Sequence, residues 1–434
     1  MNEIDVTVIG GGLAGMAASI HLARAGMRVT CIEAAPTDRD AVGESLDWSA
    51  PDLLAALDLP MEELIARGIA TYKLHVVLKL QDGSEKHYVP GDWLGHAPFH
   101  VELRTLHVDR TFLNEAIRAM AVRQGVEIVA DKVLDIEREG RRVLAANTEG
   151  GARISSPWFI DASGSATRLF PRAFKLPLHE YGPSKVAIWD YFTVPSSPEG
   201  TTLYCASTDS YMEWVWQIPI RPDTVSVGYV AAGNVVKEAR QRGLGMQEIY
   251  RAQLSRFPAL RDLLDVPGEI SPHVTSFRCR VHGKLAGPNW LVVGEAASMV
   301  DPLTSNGVTA ALRQAAEAAE LVIKSRYRRQ LPSLAAAAYS WRVRGLARFF
   351  NCCIERLFYD WPIRRRIGPL KAGDVYTIPA WLMNLFYSRM RPRGIISTAL
   401  FNGALACLRL AAECFHWLCK KRLSSRATSS CLAS

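Results

Sequence analysis

The order of apolar and polar positions predicts that the chain opens with a strand, a helix and a second strand. Residues 4–9, with the sequence IDVTVI, form a short apolar run rich in β-branched side chains, which is typical of a buried strand. An alanine-rich helical pattern runs from Leu13 to about Ala25, and a second strand pattern, from Arg28 to Ile32, ends at Glu33. We therefore predict an α/β fold that begins with a parallel βαβ unit.

Two later segments repeat the pattern of a strand that runs into a glycine turn. Residues 159–164 read FIDASG, and residues 291–297 read LVVGEAA. Residues 302–307, bounded by a proline and a glycine, then precede a long alanine-rich helix. These segments predict further strands of the same sheet, each ending at a turn where a ligand can be held.

The C-terminal part predicts helices and ends in an apolar segment. Residues 394–419 are strongly apolar and are followed by the cations of residues 420–422. The uncharged run stops at Leu408, because Arg409 and Glu413 follow it, so it is shorter than the ~20 residues that cross a bilayer. We expect this segment to dock on the protein core or to lie as a peripheral helix on the inner face of a membrane.

Composition and charge narrow the class of protein. The chain has 434 residues, 49% of them hydrophobic, which is enough for two or three domains with a large core. The nine cysteines show no metal-ligand spacing, and no signal peptide precedes the first strand, so we expect a cytoplasmic protein without a metal. The net charge of +8 is concentrated beyond residue 325, where no nucleic-acid motif accompanies it. An acidic carrier protein or an anionic membrane surface suits this charge better than nucleic acid.

The glycine turn after the first strand predicts a dinucleotide site. Gly10 permits a tight turn, Gly12 lets the backbone approach a pyrophosphate, and Gly15 lets helix and strand pack closely. The helix begins at Leu13 and Ala14, so its positive end meets the phosphates. The acid at the end of the second strand, Glu33, is placed to accept hydrogen bonds from a ribose.

The order of the glycine turns resembles the FAD fold of the aromatic hydroxylases and their relatives. The resemblance implies an FAD-binding Rossmann-like domain with an inserted β-sheet substrate domain and a helical C-terminal region. It also implies that Glu295, where the family usually has Asp, reaches the ribityl chain, and that residues 302–307 lie along the isoalloxazine ring. The cofactor-binding residues that follow are Glu44, Ser45, Arg110, Gly294, Glu295, Pro302, Gly307 and Val308.

A tryptophan motif narrows the chemistry. Period-two alternation puts Trp214, Trp216 and Ile218 on one face of a strand, and Pro219 follows. This segment resembles the WxWxIP motif of the flavin-dependent halogenases, in which it lines the space between flavin and substrate. The resemblance implies that a partner flavin reductase supplies FADH2, which reacts with O2 to give a C4a-hydroperoxide. Chloride or bromide then yields hypohalous acid, which passes to an essential lysine.

The lysine that this resemblance requires is assigned to Lys73. It lies among apolar and aromatic residues, which fits an inward position, and Lys79 is the competing candidate because it shares the same strand parity. Thr304 and Ser305 resemble the halide-side loop of the family. Tryptophan halogenases carry Glu where Thr304 stands, so a small electron-rich aromatic, phenolic or pyrrolic and free or bound to an acyl carrier protein, is favoured over free tryptophan.

Three alternatives stay open at this point. An FAD-dependent aromatic monooxygenase would use the same fold and would not need Lys73. A flavin-dependent reductase of polyprenyl double bonds would suit the apolar C-terminal segment, and a flavin-binding protein without catalysis would keep FAD and turn nothing over. The predicted FAD-binding domain is discontinuous and comprises residues 1–70, 101–175 and 278–330. The predicted substrate-binding β-sheet domain comprises residues 71–100 and 176–277. A helical region at residues 331–422 and a disordered tail at residues 423–434 follow.

Overall fold

The structure is a computed structural model that describes residues 3–34, 42–89, 92, 95–97, 100, 103–206, 208, 211–265, 270–375, 377, 380, 392 and 394–431, with side chains to 422. The strands are β1 (Val6–Ile9), β2 (Val29–Glu33), β3 (Ala70–Lys73), β4 (Val76–Leu80), β5 (Glu85–Tyr88), β6 (Thr105–Val108), β7 (Glu127–Ala130), β8 (Val133–Glu139), β9 (Arg142–Thr148), β10 (Arg153–Ser155), β11 (Trp158–Asp161), β12 (Leu178–Thr193), β13 (Thr201–Ala206), β14 (Glu213–Arg221), β15 (Thr224–Ala232), β16 (His273–His282), β17 (Trp290–Val292) and β18 (Ser298–Met299).

The α-helices are α1 (Leu13–Arg24), α2 (Ala50–Ala55), α3 (Met61–Ala66), α4 (Arg110–Arg123), α5 (Gly164–Thr167), α6 (Leu169–Ala173), α7 (Gly233–Gln241), α8 (Met246–Leu254), α9 (Pro258–Leu264), α10 (Gly307–Ser325), α11 (Ser333–Cys353), α12 (Trp361–Ile367) and α13 (Gly394–Cys431). A π-helix, Ile354–Tyr359, continues α11. Short 3-10 turns cover Gly294–Ala296 and Pro302–Thr304.

A five-stranded sheet forms the first layer, in the order β17-β11-β1-β2-β7. All of its pairings are parallel, and β1 lies in the middle. Four of its strands are buried and read as apolar runs in the sequence, whereas the edge strand β7 is partly exposed. The predicted strand, helix and strand at the N-terminus are confirmed, and the carboxyl end of β1 meets the N-terminus of α1 where such sheets bind ligands.

An eight-stranded sheet forms the second layer, in the order β18-β16-β12-β15-β14-β13-β4-β5. On β14, Trp214, Trp216 and Ile218 point into one core, whereas Val215 points into another on the opposite side of the sheet. The predicted face is therefore confirmed. The tryptophan face packs against the C-terminal helices, and the other face packs against α7, α8 and α9.

The segment from residue 71 is grouped differently from the prediction. Strand β3 pairs with β6 in a separate two-stranded sheet, and only from Val76 does the chain enter the eight-stranded sheet. Residues 71–73 therefore lie with the segment that leads into the FAD-type unit, because β6 runs directly into α4. Lys73 and Lys79 stand on different strands, so the shared parity that made them competitors does not apply.

The C-terminal region is helical, as predicted. Helix α13 packs against α11, α12 and the π-helix. It continues to Cys431, whereas the sequence predicted a disordered tail from residue 423; residues 432–434 lie outside the described part. A helix nucleated by packing upstream can extend through a polar stretch at little further cost, which explains the difference.

Candidate functional site

The glycine turn after β1 has the geometry of a phosphate-binding turn. Gly10 has φ of +101°, and a Cβ there would lie 2.4 Å from the carbonyl oxygen of Ala162. A Cβ on Gly15 would lie 1.8 Å from the carbonyl oxygen of Gly10, so helix and strand close only with glycine at these positions. The space beside Gly12 is open. The turn thus presents bare backbone to whatever lies above it.

Two helix N-termini converge on this part of the molecule with uncapped backbone amides. Neither Gly12, before α1, nor Asn306, before α10, supplies a side-chain hydrogen bond to its helix. The first turn of each helix therefore keeps N–H groups free for an anionic ligand. The Glu33 carboxylate accepts the N–H of Gly11, which holds this acid beside the turn. Leu13 and Ala14 begin α1 immediately above it.

Arg110 and Glu44 form the next wall of the site. Arg110 begins α4 and donates from Nη1 to the carbonyl oxygens of Val42 (2.8 Å) and Gly43 (3.3 Å). Its buried Nε has no hydrogen-bond partner in the described part of the chain, so a donor remains for a ligand. The Glu44 carboxylate, predicted to bind the cofactor, instead accepts hydrogen bonds from the Gly43 amide and from Ser226, 2.9 and 3.0 Å away. Burial raises the pKa of that carboxyl.

Glu295 and the turn before α10 close the site from the far side. Glu295 is exposed on the 3-10 turn that follows β17, and Gly294 donates its N–H to Gln314 at 2.8 Å. The turn Pro302–Thr304 leads through Ser305 into Gly307 and Val308 at the start of α10. Because this turn and the βαβ turn both end in helix N-termini, they frame a site for a ligand with anionic groups.

Lys73 is buried beside this turn. Its side chain is 3% exposed, and its Nζ donates to the carbonyl oxygen of Leu46 at 2.9 Å and to Ser305 Oγ at 3.4 Å. The Nζ also lies 5.7 Å from the centre of the Trp48 ring. Burial lowers the pKa of Lys73 to about 7, and the charge of Asp47 only partly opposes this effect. A substantial share of Lys73 is therefore an uncharged amine at neutral pH.

The competing lysine has an ordinary surface environment. Lys79 Nζ lies 3.1 Å from a carboxylate oxygen of Glu85 on the neighbouring strand, with about a third of its side chain exposed. A solvated ion pair of this kind contributes little to stability. Of the two candidate lysines, Lys73 is the one whose side chain is buried, as the sequence predicted.

Ser305 starts a chain of buried hydroxyl groups. It adopts φ of +61°, a left-handed conformation that costs a non-glycine residue about 1–3 kcal/mol, and so must be held by its surroundings. Ser305 Oγ donates to Ser45 Oγ at 3.1 Å, and Ser45 lies 3.1 Å from Thr201 Oγ1. Thr201 Oγ1 in turn lies 2.9 Å from His107 Nε2. Sequence reasoning found Ser45 and Ser305 but missed Thr201 and His107.

The protonation of His107 follows from the far end of this chain. Thr71 donates its hydroxyl proton to the carbonyl oxygen of Pro219 at 2.6 Å, so it can only accept from His107 Nδ1, 3.4 Å away. His107 then carries its proton on Nδ1 and accepts at Nε2 from Thr201. Burial lowers the pKa of His107 well below its usual value, so the ring is neutral. This chain of hydrogen bonds therefore leaves Ser305 Oγ as an acceptor for Lys73 Nζ, and it places no charged group beside the lysine.

The two tryptophans of β14 are fixed through their ring nitrogens. Trp216 Nε1 donates to Ser226 Oγ at 3.0 Å, and Ser226 donates to the Glu44 carboxylate. A Cβ on Gly228 would lie 2.1 Å from the Trp216 ring, so the opposite strand makes room for it. Trp216 is thus tied to the same loop that surrounds Arg110. The Trp214 ring lies 5.9 Å away, centre to centre.

Trp214 belongs to a second buried network, centred on Lys185. Trp214 Nε1 donates to the Tyr359 hydroxyl at 2.9 Å, and that hydroxyl lies 3.2 Å from Asp301 Oδ1. Lys185 Nζ contacts the carboxylates of Asp301 (3.0 Å) and Glu355 (2.5 Å). Burial alone would lower the pKa of Lys185, but the two carboxylates outweigh it and hold that pKa above its usual value. The network joins the C-terminal π-helix to the residue before Pro302.

Comparison with known proteins identifies the family. The sequence model described as tryptophan halogenase matches residues 97–336, and the FAD-dependent oxidoreductase model matches residues 5–170. The chain belongs to the tryptophan halogenase family. A tryptophan 2-halogenase of Chondromyces crocatus is 30% identical over 344 residues, which are 74% of this chain and 61% of that protein. The chain thus spans about three fifths of that relative's length.

Two further halogenases extend the comparison. A 1H-pyrrole-2-carbonyl-[peptidyl-carrier protein] brominase of Pseudoalteromonas luteoviolacea is 27% identical over 73% of this chain and 77% of that protein. A solved structure of a flavin-dependent brominase superposes with a TM-score of 0.74 at 21% identity, covering 93% of this chain and 98% of that chain. The second likeness shows the fold alone: the Rossmann-like FAD-binding fold predicted from the sequence is confirmed.

The residues present fit FAD. The bare turn at Gly12, the acid Glu33 and the unpartnered Nε of Arg110 provide amide, ribose-binding and cationic groups in the order that a dinucleotide needs. The open N-terminus of α10 adds backbone amides near the position predicted for the flavin ring.

Proposed function

We propose that the protein halogenates an electron-rich aromatic ring, with Lys73 as the residue that carries the halogen. The observation that supports this most directly is the buried Lys73 amine, whose hydrogen-bond acceptors are the neutral oxygens of Leu46 and Ser305. A lysine in this environment is nucleophilic at neutral pH. The predicted halide-side turn reaches it directly through Ser305.

FAD, if bound in its reduced form, would supply two of the four electrons that reduce O2; chloride or bromide would supply the other two as it is oxidised to hypohalous acid, with one water formed. Gly12, Glu33 and Arg110 would hold this cofactor. The amides at Gly307 and Val308 begin α10 and can bind an anion such as halide. Thr304 is buried and receives a hydrogen bond from Asn306 at 2.8 Å, which keeps the turn in shape.

The neutral Lys73 amine attacks the halogen of hypohalous acid. The N–X bond forms, the X–O bond breaks, and the hydroxide that leaves takes a proton from the nitrogen to give water. The aromatic ring then takes the halogen from nitrogen, and the ring proton returns to the amine, so Lys73 is regenerated. Ser305 accepts a hydrogen bond from Nζ and orients it. Trp214 and Trp216 form an immobile wall on this side of the eight-stranded sheet.

The substrate that we propose is phenolic or pyrrolic. A ring of this kind is activated by its own heteroatom. It therefore does not need the carboxylate that tryptophan halogenases carry as Glu at the position where this chain has Thr304. A relative that acts on a pyrrole bound to a carrier protein supports a carrier-bound form of the substrate. The surface cations beyond residue 325 suit an acidic carrier. We further propose that a partner flavin reductase supplies FADH2 in the cytoplasm.

The experiment is a single turnover of the FADH2-loaded protein with O2 in the presence of monochlorodimedone, a trap for hypohalous acid. We expect the trap to be halogenated in proportion to bromide. Lys79→Met, which changes a partly exposed strand lysine, is the control variant and should behave as wild type. Formation of hydrogen peroxide alone, at the same yield with and without bromide, would contradict the proposal and favour a monooxygenase.

A further inference from the structure

Helix α13 exposes a row of apolar side chains on its outward side, although Leu405, Ala412 and Cys419 on its inward side are buried in the core. Ile396 is 75% exposed and Trp417 is 57% exposed. The outward positions recur every three or four residues, as expected for one helix face. They are Ile396, Leu400, Gly403, Cys407, Leu410, Cys414, Trp417 and Leu418. We name this set the α13 stripe; it spans about 30 Å at 1.5 Å per residue.

The polar residues of α13 face the protein. Asn402 Nδ2 donates to the carbonyl oxygen of Trp341 at 3.0 Å, and Thr398 accepts from Arg342 at 3.1 Å. Farther along, His416 Nε2 lies 2.5 Å from a carboxylate oxygen of Asp360. These contacts fix the rotation of the helix, because turning the stripe inward would leave each of these groups without its partner.

The two charges that interrupt the apolar run lie beside the stripe, where they are partly buried next to α11. Arg409 Nη1 contacts Glu413 Oε1 at 2.7 Å, and the same oxygen accepts from Cys352 Sγ on α11 at 3.2 Å. Read along the sequence, Arg409 and Glu413 shorten the apolar segment. In the structure they leave the α13 stripe free of charged side chains from Ile396 to Leu418.

Cations collect at one end of the stripe. The residues after Leu418 on α13 include three exposed cations, and the end of α12 adds two more. Burial raises the pKa of the Cys419 thiol, and the charges of Arg366 and Arg422 both oppose this effect, so the two arginines lie near the same residue. We name this set the basic end of the stripe. It comprises Lys420, Lys421, Arg422, Arg365 and Arg366.

We propose that the α13 stripe and its basic end bind the surface of an anionic membrane, with the helix lying in the plane of the interface. An exposed apolar face beside a cluster of lysine and arginine is the combination that anionic lipid recognises. By length and composition Gly394–Arg422, with 29 residues, is long and apolar enough to cross a membrane, the one such helix among the described residues. The polar contacts of α13 with α11 and Asp360 hold the helix against the protein. We therefore expect it to lie on the surface of the bilayer and not to cross it.

Charge favours lipid over a second copy of the chain. Gly394 to Ala412 contains no acidic residue, so a second α13 packed along the stripe would offer no carboxylate to the basic end. In a parallel pair the two basic ends would repel each other. Anionic headgroups complement the basic end, while acyl chains cover the stripe. This inference is independent of the halogenation proposed above.

The experiment is flotation of the FAD-loaded full-length protein with two kinds of vesicle. One consists of phosphatidylcholine alone, and the other contains 30 mol% phosphatidylglycerol in phosphatidylcholine. We expect binding to the anionic vesicles and a loss of that binding in high salt. The double variant Leu400→Glu/Trp417→Glu should lower the bound fraction by about tenfold or more, because it places charge on the apolar face. The matched control, Val122→Glu/Leu334→Glu, alters two exposed apolar residues elsewhere and should bind as wild type.

Two exposed cysteines of the stripe give a second measurement on unaltered protein. Cys407 and Cys414 are exposed, whereas most other described cysteines are buried. A membrane-impermeant maleimide, read out by peptide mass spectrometry, should label both cysteines in solution and label them several-fold more slowly with anionic vesicles. Slow labelling without vesicles that speeds up on dilution would overturn the proposal in favour of a second copy of the chain. Labelling that no vesicle slows, together with no flotation, would overturn it outright.

Discussion

Lys73 and Lys185 are both buried strand lysines, but their surroundings give them opposite chemistry. Lys73 meets neutral oxygens, and burial lowers its pKa to about 7. Lys185 lies between the carboxylates of Asp301 and Glu355, and its pKa is raised. The comparison teaches that an amine becomes reactive where burial outweighs the nearby negative charge, and becomes a structural cation where contacting carboxylates outweigh burial.

Both lysines act on the same turn. Lys73 contacts Ser305 at the end of the Pro302–Thr304 turn, and Lys185 contacts Asp301 at its start. Asp301 Oδ1 also accepts the N–H of Leu303 at 3.1 Å. Lys185 therefore stabilises the turn through its ion pair with Asp301, whereas Lys73 is oriented by the turn through its hydrogen bond to Ser305. Substitutions at either end should separate these two roles.

The largest effect is expected from replacing the reactive lysine. Lys73→Met should lower halogenation of an added phenol or pyrrole by about 10²- to 10⁴-fold, the range for loss of a positioned catalytic side chain. FAD should still bind, because the glycine turn and Arg110 lie elsewhere. Product yield per FADH2 oxidised is the measurement, and Lys79→Met is the control. A Lys73→Met variant with undiminished yield would remove Lys73 from the chemistry.

The second effect is on stability. Lys185→Met leaves two buried carboxylates without their cation and should lower the free energy of unfolding by about 3–5 kcal/mol. Adding Asp301→Asn and Glu355→Gln should recover part of that loss, because the uncompensated charges are then gone. Denaturant unfolding measures both changes. If Lys185→Met lowers the free energy of unfolding no more than Lys79→Met at a partly exposed site, the comparison between Lys73 and Lys185 fails.

The third effect is the pH dependence of the halogen transfer. The uncharged form of Lys73 is the nucleophile, so the rate should rise as pH increases through about 7 and level off above it. The residual rate of Lys73→Met should be flat across this window. A wild-type rate that falls as pH rises through 7 would mean that the ammonium form acts, as a hydrogen-bond donor to hypohalous acid.

The smallest effect is expected from the tryptophan wall. Trp216→Phe keeps the aromatic ring but removes the hydrogen bond to Ser226, which should cost about 1 kcal/mol of stability. The loosened wall should let more hypohalous acid escape. The fraction of oxidant caught by monochlorodimedone in the presence of substrate should rise accordingly. An unchanged escape would make Trp216 a core residue only.

Local patterns predicted the elements that depend on neighbours in sequence. The βαβ unit follows from apolar runs and a glycine turn, and the face of Trp214 and Trp216 follows from period two. Such patterns state which residues share an element, but they do not state which strands pair. For that reason the sequence grouped residues 71–73 with the substrate sheet, whereas β3 pairs with β6, and it did not separate the buried Lys73 from the partly exposed Lys79.

The rest of the site depends on contacts between distant segments. Thr201 and His107 meet Ser45 only because β13, β6 and the loop before α2 converge, and neither Thr201 nor His107 stands in a motif. Lys185 reads as an ordinary strand lysine until Asp301 and Glu355 are brought to it. The disposition of Arg409 and Glu413 likewise requires the rotation of α13, which the inward polar contacts set.

The most direct test of the account is to count oxidising equivalents that remain on the protein. Protein loaded with FADH2 is exposed to O2 and bromide without aromatic substrate, desalted, and titrated with 2-nitro-5-thiobenzoate. The account predicts that wild type and Lys79→Met retain about one equivalent per chain, the single N-halo lysine, while Lys73→Met, which has the same cysteines, retains none. Equal retention in wild type and Lys73→Met, or none in either, would contradict it.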